Sequence, residues 1–212
     1  DTQRGDCNND VNSTYDAEID QRTISFWFSP DTLPEGGISV LYEEGGTVNG
    51  LNMYINGTKF YGGAWAGSYG WNGAWVTSSK SLEVDSWYFA AMVFDNPASG
   101  DKTLKIYLDG EEEGTINVTV SIAPGHSNDD GLGAVIKATK VQTGDINNPS
   151  GTESNFFNGK MDECRVTDTA RDSDWLKTRY HSEASGASFI FVDTIAQQET
   201  LGLTDSVTVT VT

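Results

Sequence analysis

An all-β sandwich of two antiparallel sheets with one short C-terminal helix is the fold class this sequence predicts, from three observations. Short apolar bursts recur every 10 to 15 residues or so, the rhythm of strands joined by turns. Glycine is frequent at 23 residues against 5 prolines, and the chain is rich in threonine and serine, a mix that favours strands and polar turns over helices. The 212 residues are 37% hydrophobic and 11% aromatic, enough for one core of roughly the largest single-domain size.

The bursts fall at 23–28, 39–43, 51–55, 59–61, 87–94, 103–108, 116–121, 135–138 and 159–166. Asn56-Gly57 between two bursts and Asp109-Gly110 after Ile106-Tyr107-Leu108 are hairpin signals, because both central residues of a tight hairpin turn need or tolerate positive φ. The helix is expected after Asp172 or Ser173, either of which can cap it. Trp175, Leu176, Arg179 and Tyr180 then follow at i, i+1, i+4 and i+5 on one face.

Charge and hydropathy exclude two classes of partner. With 31 acidic and 13 basic residues the formal charge is −18, which leaves no basic surplus for a phosphate backbone, so nucleic acid is not expected. No apolar run reaches the ~18 residues of a membrane span. The sequence opens at Asp1 without methionine or an apolar signal core and reads as a processed, exported product, secreted or displayed on a cell-surface appendage.

A family resemblance rests on six strings in order: Arg22-Thr23-Ile24-Ser25-Phe26-Trp27-Phe28, Leu41-Tyr42-Glu43-Glu44-Gly45-Gly46, Gly50-Leu51-Asn52-Met53-Tyr54-Ile55, Ser86-Trp87-Tyr88-Phe89-Ala90, Ile106-Tyr107-Leu108-Asp109-Gly110 and Phe156-Phe157-Asn158-Gly159-Lys160-Met161-Asp162-Glu163-Cys164-Arg165-Val166. Over about residues 12–182 the chain resembles the laminin-G-like branch of the concanavalin A-like lectin/glucanase jelly rolls. The resemblance implies a two-sheet antiparallel jelly-roll sandwich in an extracellular module that most often binds glycans or proteins and catalyses nothing by itself. It divides the chain into an N-terminal arm (1–21), the jelly roll (22–184) and a C-terminal extension (185–212).

Both ends depart from that pattern. Members of the family usually open with a strand that packs beside the final one; here its place is taken by a polar arm of poor strand propensity, so one strand is expected to be missing. The extension carries Phe189, Phe191 and the alternation Val207, Val209, Val211 with threonines, an apolar face that requires a groove. Three fates are open to it: folding back in cis, donation to a neighbouring subunit, or opening a following domain. Donation between identical subunits is a heterologous contact that builds a fibre when it does not close. Within the family's frame, a Cys7–Cys164 disulfide would pin the arm against the final strand; two free thiols are the alternative.

Candidate sites follow from the same comparison. The aromatic stretch 60–75 is rich in rings on which a sugar can stack, although the family pattern implies that the fold buries most of them; Tyr69 and Trp71, at a glycine-flanked tip, and Trp75 are the candidate glycan contacts. Family glucanases use a Glu-x-Asp-x-x-Glu strand, whose alternation gathers the carboxylates in one cleft. Here Glu18-Ile-Asp20 and Glu83-Val-Asp85 both lack the last acid, so no enzyme is expected. The resemblance implies a structural Ca²⁺ at Asp162, with Asp6 the candidate second ligand; Asp129, Asp130 and Asp145 are candidates for another cation site, with a merely solvated acidic loop the alternative. Asn12, Asn56 and Asn117 begin N-glycosylation sequons, in a number that chance produces, and Arg4-Gly5-Asp6 is an isolated integrin tripeptide.

Two functions are therefore expected, in this order. The first is a non-enzymatic structural and adhesive subunit that polymerises with itself by C-terminal strand donation. The second is a carbohydrate-binding module of a larger secreted protein.

Overall fold

The computed structural model describes the backbone of residues 5–7 and all of residues 19–120, 130–148 and 152–184. Its strands are β1 (Gly5–Cys7), β2 (Gln21–Pro30), β3 (Ile38–Gly45), β4 (Asn49–Asn56), β5 (Lys59–Ala66), β6 (Trp71–Ser81), β7 (Tyr88–Asp95), β8 (Thr103–Leu108), β9 (Glu111–Asn117), β10 (Asp130–Leu132), β11 (Ala138–Val141), β12 (Gly144–Asn147) and β13 (Gly159–Thr167), followed by helix α1 (Ser173–Glu183). A six-stranded antiparallel sheet runs β1-β10-β3-β4-β5-β6 and a five-stranded one runs β13-β2-β7-β8-β9; β11 and β12 form a separate hairpin. The expected two-sheet jelly-roll architecture with one short helix is what the chain adopts.

Alternation fixes which residues meet between the sheets. On β2, Ile24, Phe26 and Phe28 point inward and are fully buried; from the other sheet Leu41, Leu51, Met53, Ile55 and Phe60 meet them. The opposite parity of β2 and β7 faces outward, where Phe89, Ala91, Val93 and Tyr107 are covered by Leu176 of α1. Asp172 caps that helix by accepting the Trp175 amide at 2.8 Å, as its sequence position implies. On the outer face of the six-stranded sheet a third apolar group, Val40, Tyr54, Val135 and Val141, lies beneath the β11–β12 hairpin.

One buried ion pair ties the two sheets together. Arg22 of β2 donates to both carboxylate oxygens of Glu44 of β3 at 2.7 Å, and the Tyr42 hydroxyl donates to the same carboxylate at 3.0 Å. Burial first, and then the neighbouring Glu44 and Asp130 carboxylates, push the Tyr42 phenol well above its ordinary range and keep it a donor.

Several expectations need correction. The polar arm does supply a strand: Gly5, Asp6 and Cys7 pair with Leu132, Gly131 and Asp130 at the edge of the six-stranded sheet, on the other sheet from β13. Backbone pairing requires no apolar side chain, so a short strand escapes a reading based on propensity. The tip expected near Tyr69 and Trp71 is shorter, because β6 begins at Trp71. Among the described residues the burst at 116–121 meets a strand only at 116–117, the end of β9, which starts at Glu111 directly after the hairpin turn, and the burst at 135–138 only touches β11, Val135 making an isolated bridge to Ser154. The turn signals fare better: Asp109 and Gly110 both take positive φ, 54° and 80°, as a two-residue hairpin between β8 and β9 needs. In the other hairpin the turn residues are Gly57 and Thr58, one position later than the Asn56-Gly57 signal.

Candidate functional site

Strand register brings four aromatic rings to the outer face of the six-stranded sheet. Tyr54 of β4 pairs with Tyr61 of β5, which pairs with Thr77 of β6; one row along, Asn52 pairs with Gly63 and Gly63 with Trp75; in the next row Gly50 pairs with Trp65. Paired residues share a face, so Tyr54, Tyr61, Trp65 and Trp75 all stand on the side away from the main core. Tyr54 and Tyr61 stack at 4.9 Å with planes 8° apart, and Trp65 and Trp75 at 6.4 Å with planes 13° apart. Within each pair one ring is buried and fixed: Tyr54 accepts the Gln142 amide on its hydroxyl at 3.2 Å, and Trp65 donates to the Gly46 carbonyl at 2.8 Å. The outer ring of each, Tyr61 and Trp75, remains partly accessible.

Glycines make room for the indoles. A Cβ at Gly50 would stand 2.8 Å from Trp65 Cζ2, one at Gly73 would stand 3.0 Å from Trp75 Cη2, and one at Gly63 would overlap the Trp75 indole outright. At the Gly63 position two buried polar atoms converge, Trp75 Nε1 and Asn52 Oδ1, and neither has a hydrogen-bond partner among the described residues. Asn52 is held from its other end, where Nδ2 donates to Thr139 Oγ1 at 3.1 Å and to the Lys140 carbonyl at 2.8 Å, which moors the β11–β12 hairpin beside the rings. Beyond the hairpin lies a polar cleft of about 390 Å³ lined by residues that include Ile38, Asn56, Asp145 and Asn155. Burial raises the Tyr54 phenol far above its ordinary range, although the Gln142 amide works against the shift, so its hydroxyl remains neutral on this face.

Of the candidate glycan contacts named from sequence, only Trp75 belongs to this group of rings. Tyr69 sits 48% exposed in the 3₁₀ turn Gly67–Tyr69 between β5 and β6. Trp71 packs half-buried against the main core, which corrects its expected place at an exposed tip: a register shift between Ala64 and Ala66 turns the start of β6 inward. Tyr61, Asn52 and Gly63 were missed. The signal was present in the alternation of Leu51, Met53 and Ile55, which leaves Asn52 and Tyr54 on the other face.

The remaining candidates are dispersed. Asp162 lies exposed on β13, its Oδ1 accepting the Glu163 amide at 2.8 Å, whereas the backbone places Asp6 in the other sheet. Among the described residues no three His, Cys, Asp or Glu side chains converge on one point, and the side chain of Asp6 lies outside those residues. Asp130 and Asp145 lie on β10 and β12, and Asp129 is outside the described residues. Cys164 is exposed on β13; the side chain of Cys7 lies outside the described residues, as do Asn12, Phe189, Phe191, Val207, Val209 and Val211. Asn56 ends β4, partly buried at the cleft, and Asn117 ends β9, exposed. No helix among the described residues is long and apolar enough to cross a membrane.

Comparison with known proteins agrees with the architecture. The family model described as the concanavalin A-like lectin/glucanases superfamily matches residues 6–177. No curated protein sequence matches. Among solved structures, the chain is similar to the CBM40 of the Ruminococcus gnavus IT-sialidase, determined bound to alpha2,3 sialyllactose, at 15% identity and a TM-score of 0.65 over 84% of this chain and 92% of that one. It is similar to a heptameric SAP-like pentraxin from Limulus polyphemus at 14% identity and a TM-score of 0.54, over 77% and 71% of the two chains. Domain 4 of AbnA, a GH43 extracellular arabinanase from Geobacillus stearothermophilus in complex with arabinotriose, matches at 16% identity and a TM-score of 0.50, over 76% and 66%.

Proposed function

Because the chain belongs to the concanavalin A-like lectin/glucanases superfamily, we propose that it is a secreted, non-catalytic carbohydrate-binding module that holds neutral glycans on the outer face of its six-stranded sheet. One observation carries this reading: Tyr61 and Trp75 stand partly exposed on adjacent strands, each backed by a buried ring. A pyranose lays its C–H face on such rings. A net charge of −18 repels anionic ligands, so the sugars taken are uncharged ones. Similarity to carbohydrate-binding structures such as CBM40 supports glycans as the ligand, while the choice of neutral ones rests on the acidic surface of this chain alone.

A glycan array probed with the 212-residue chain and with Trp75→Ala tests the reading. Binding to neutral oligosaccharides is expected, weakened about 10-fold or more in the variant, the loss typical of a central aromatic contact. Binding that Trp75→Ala leaves unchanged, or no glycan bound at all, overturns it.

A second reading, the self-assembling adhesive fibre, draws on a different observation. Among the described residues β13 is an edge strand, and its inward residues Met161 and Val166 are only partly buried although their partners Phe28 and Ile24 are fully so. The last turn of α1 lies against that strand, Glu183 reaching Arg165 at 3.1 Å, and the extension 185–212 departs from there. Its Val207, Val209 and Val211 face matches what such an edge lacks, and donation in trans would complete one subunit with the next. Electron microscopy and sizing of the full chain beside a version ending at Ser185 test this. Fibres only from the full chain support the reading, and monodisperse monomers from both dismiss it.

A further inference from the structure

The five-stranded sheet carries a second aromatic groove, remote in topology from the Tyr61–Trp75 rings. About 500 Å³ in volume, it is lined by Trp27, Trp87, Asp162, Glu163, Arg165 and Glu183. Trp27 forms part of its wall from the outward parity of β2, packed on Phe89 at 5.6 Å and on Tyr180 at 5.7 Å, with its indole N–H fixed on Glu183 Oε2 at 2.9 Å. Trp87, just before β7, is 48% exposed. That exposure is built in, since the segment before it is anchored by Leu82 N–H on the Thr58 carbonyl at 2.7 Å and Asp85 N–H on the Pro30 carbonyl at 2.8 Å. A large indole held in solvent by a pinned segment is a contact surface awaiting a partner.

The polar wall is equally ordered. A β-bulge between Asp162 and Arg165, with Glu163 at φ 53°, turns these side chains out of the regular ladder. Arg165 then bridges Glu163 at 2.5 Å and Glu183 at 3.1 Å, while Arg179 holds Glu183 from behind at 3.0 Å and caps the Glu163 carbonyl at 2.8 Å. Partial burial works against the Glu183 charge, but hydrogen bonds from Trp27 and Arg179 and the two guanidinium charges prevail and lower its pKa, so it stays an acceptor. The result is a carboxylate–guanidinium–carboxylate array beside an exposed indole. Such rigid, paired donors and acceptors match the adjacent hydroxyls of a sugar ring, and the indole matches its C–H face.

We propose that this groove is a second carbohydrate-binding site, taking one or two residues of a neutral glycan, so that a single module grips two glycan chains from opposite sheets. The ligand class rests on the carbohydrate-binding reading above; the site does not, because it shares no residue with the first.

Calorimetric titration with lactose, cellotriose and maltotriose, joined by any stronger neutral glycan from the array, tests the proposal on the full chain, Trp75→Ala, Trp87→Ala and Trp87→Phe. A stoichiometry of two is expected. Trp87→Ala should remove one site, lowering its affinity about 10-fold or more, Trp87→Phe should restore part of it, and agglutination of glycan-coated beads by the monomer should vanish in either alanine variant. A single site lost with Trp75→Ala and indifferent to Trp87→Ala overturns the second site and leaves the first standing. A single site lost with Trp87→Ala alone overturns the first and keeps this one. Absence of binding to every sugar overturns both, and Trp87→Ala with unchanged circular dichroism excludes misfolding as the cause of its loss.

Discussion

Glu44→Ala is expected to destabilise the protein by about 3–5 kcal/mol, the usual cost of removing one member of a buried ion pair. The Arg22 and Glu44 side chains are only 2% and 4% exposed. With the acid gone, the guanidinium retains its burial and loses the carboxylate that holds it from the opposite sheet, and the Tyr42 hydroxyl loses its acceptor. For a domain of this length each kcal/mol moves the midpoint by about 2–4 °C, so thermal unfolding should begin roughly 6–20 °C lower. The control is the double variant Arg22→Met with Glu44→Leu, which removes both charges and should be markedly less damaging than Glu44→Ala alone. A single-variant cost below about 1 kcal/mol in urea titration would mean that water reaches the pair.

Gly63→Ala is expected to abolish glycan binding on the six-stranded sheet at a smaller structural cost, about 1–3 kcal/mol for an overpacked site. The new methyl group would occupy the position over which the Trp75 indole lies and would come 2.8 Å from Asn52 Oδ1. Backbone on both strands is fixed by the β4-β5-β6 ladder, so the indole has to lift, which breaks its stack on Trp65 and misplaces Nε1. Affinity should fall at least as far as in Trp75→Ala while the Trp87 groove keeps its own. A variant that binds normally would show that sugars do not use this face.

Much of the fold was legible because core alternation is strong: Ile24, Phe26 and Phe28 announce β2, and Asp109-Gly110 announces the β8–β9 turn. β6 was not, since Trp71-Asn72-Gly73-Ala74-Trp75 mixes glycine and indole without a clean period of two, and bulges at its pairing with β5 change the facing parity midway. β9 hid behind Glu111, Glu112 and Glu113, whose exposed edge position needs no apolar residue. The aromatic stretch was recognisable as a reservoir of rings, yet register alone decides that Trp65 and Trp75 join Tyr54 and Tyr61 while Trp71 turns to the core. The Trp27–Trp87 groove was invisible because its residues come from four separate segments that only the sheet and helix bring together.

The pairing of β2 with β13 has a consequence for how the molecule is made. Trp27 lies opposite Asp162, 135 positions later in the chain, whereas β7, β8 and β9 follow one another through short turns. At a translation rate of about 5–20 residues per second, β2 is complete some 7–27 s before its edge partner exists. Throughout that interval one edge of an apolar strand carrying Ile24, Phe26 and Phe28 stays open, and closing it spans most of the chain, an entropic cost the local β7–β9 meander never meets. The ribosome's pace, rather than any intrinsic folding barrier, sets the shortest time for which this nascent chain must be kept from its neighbours.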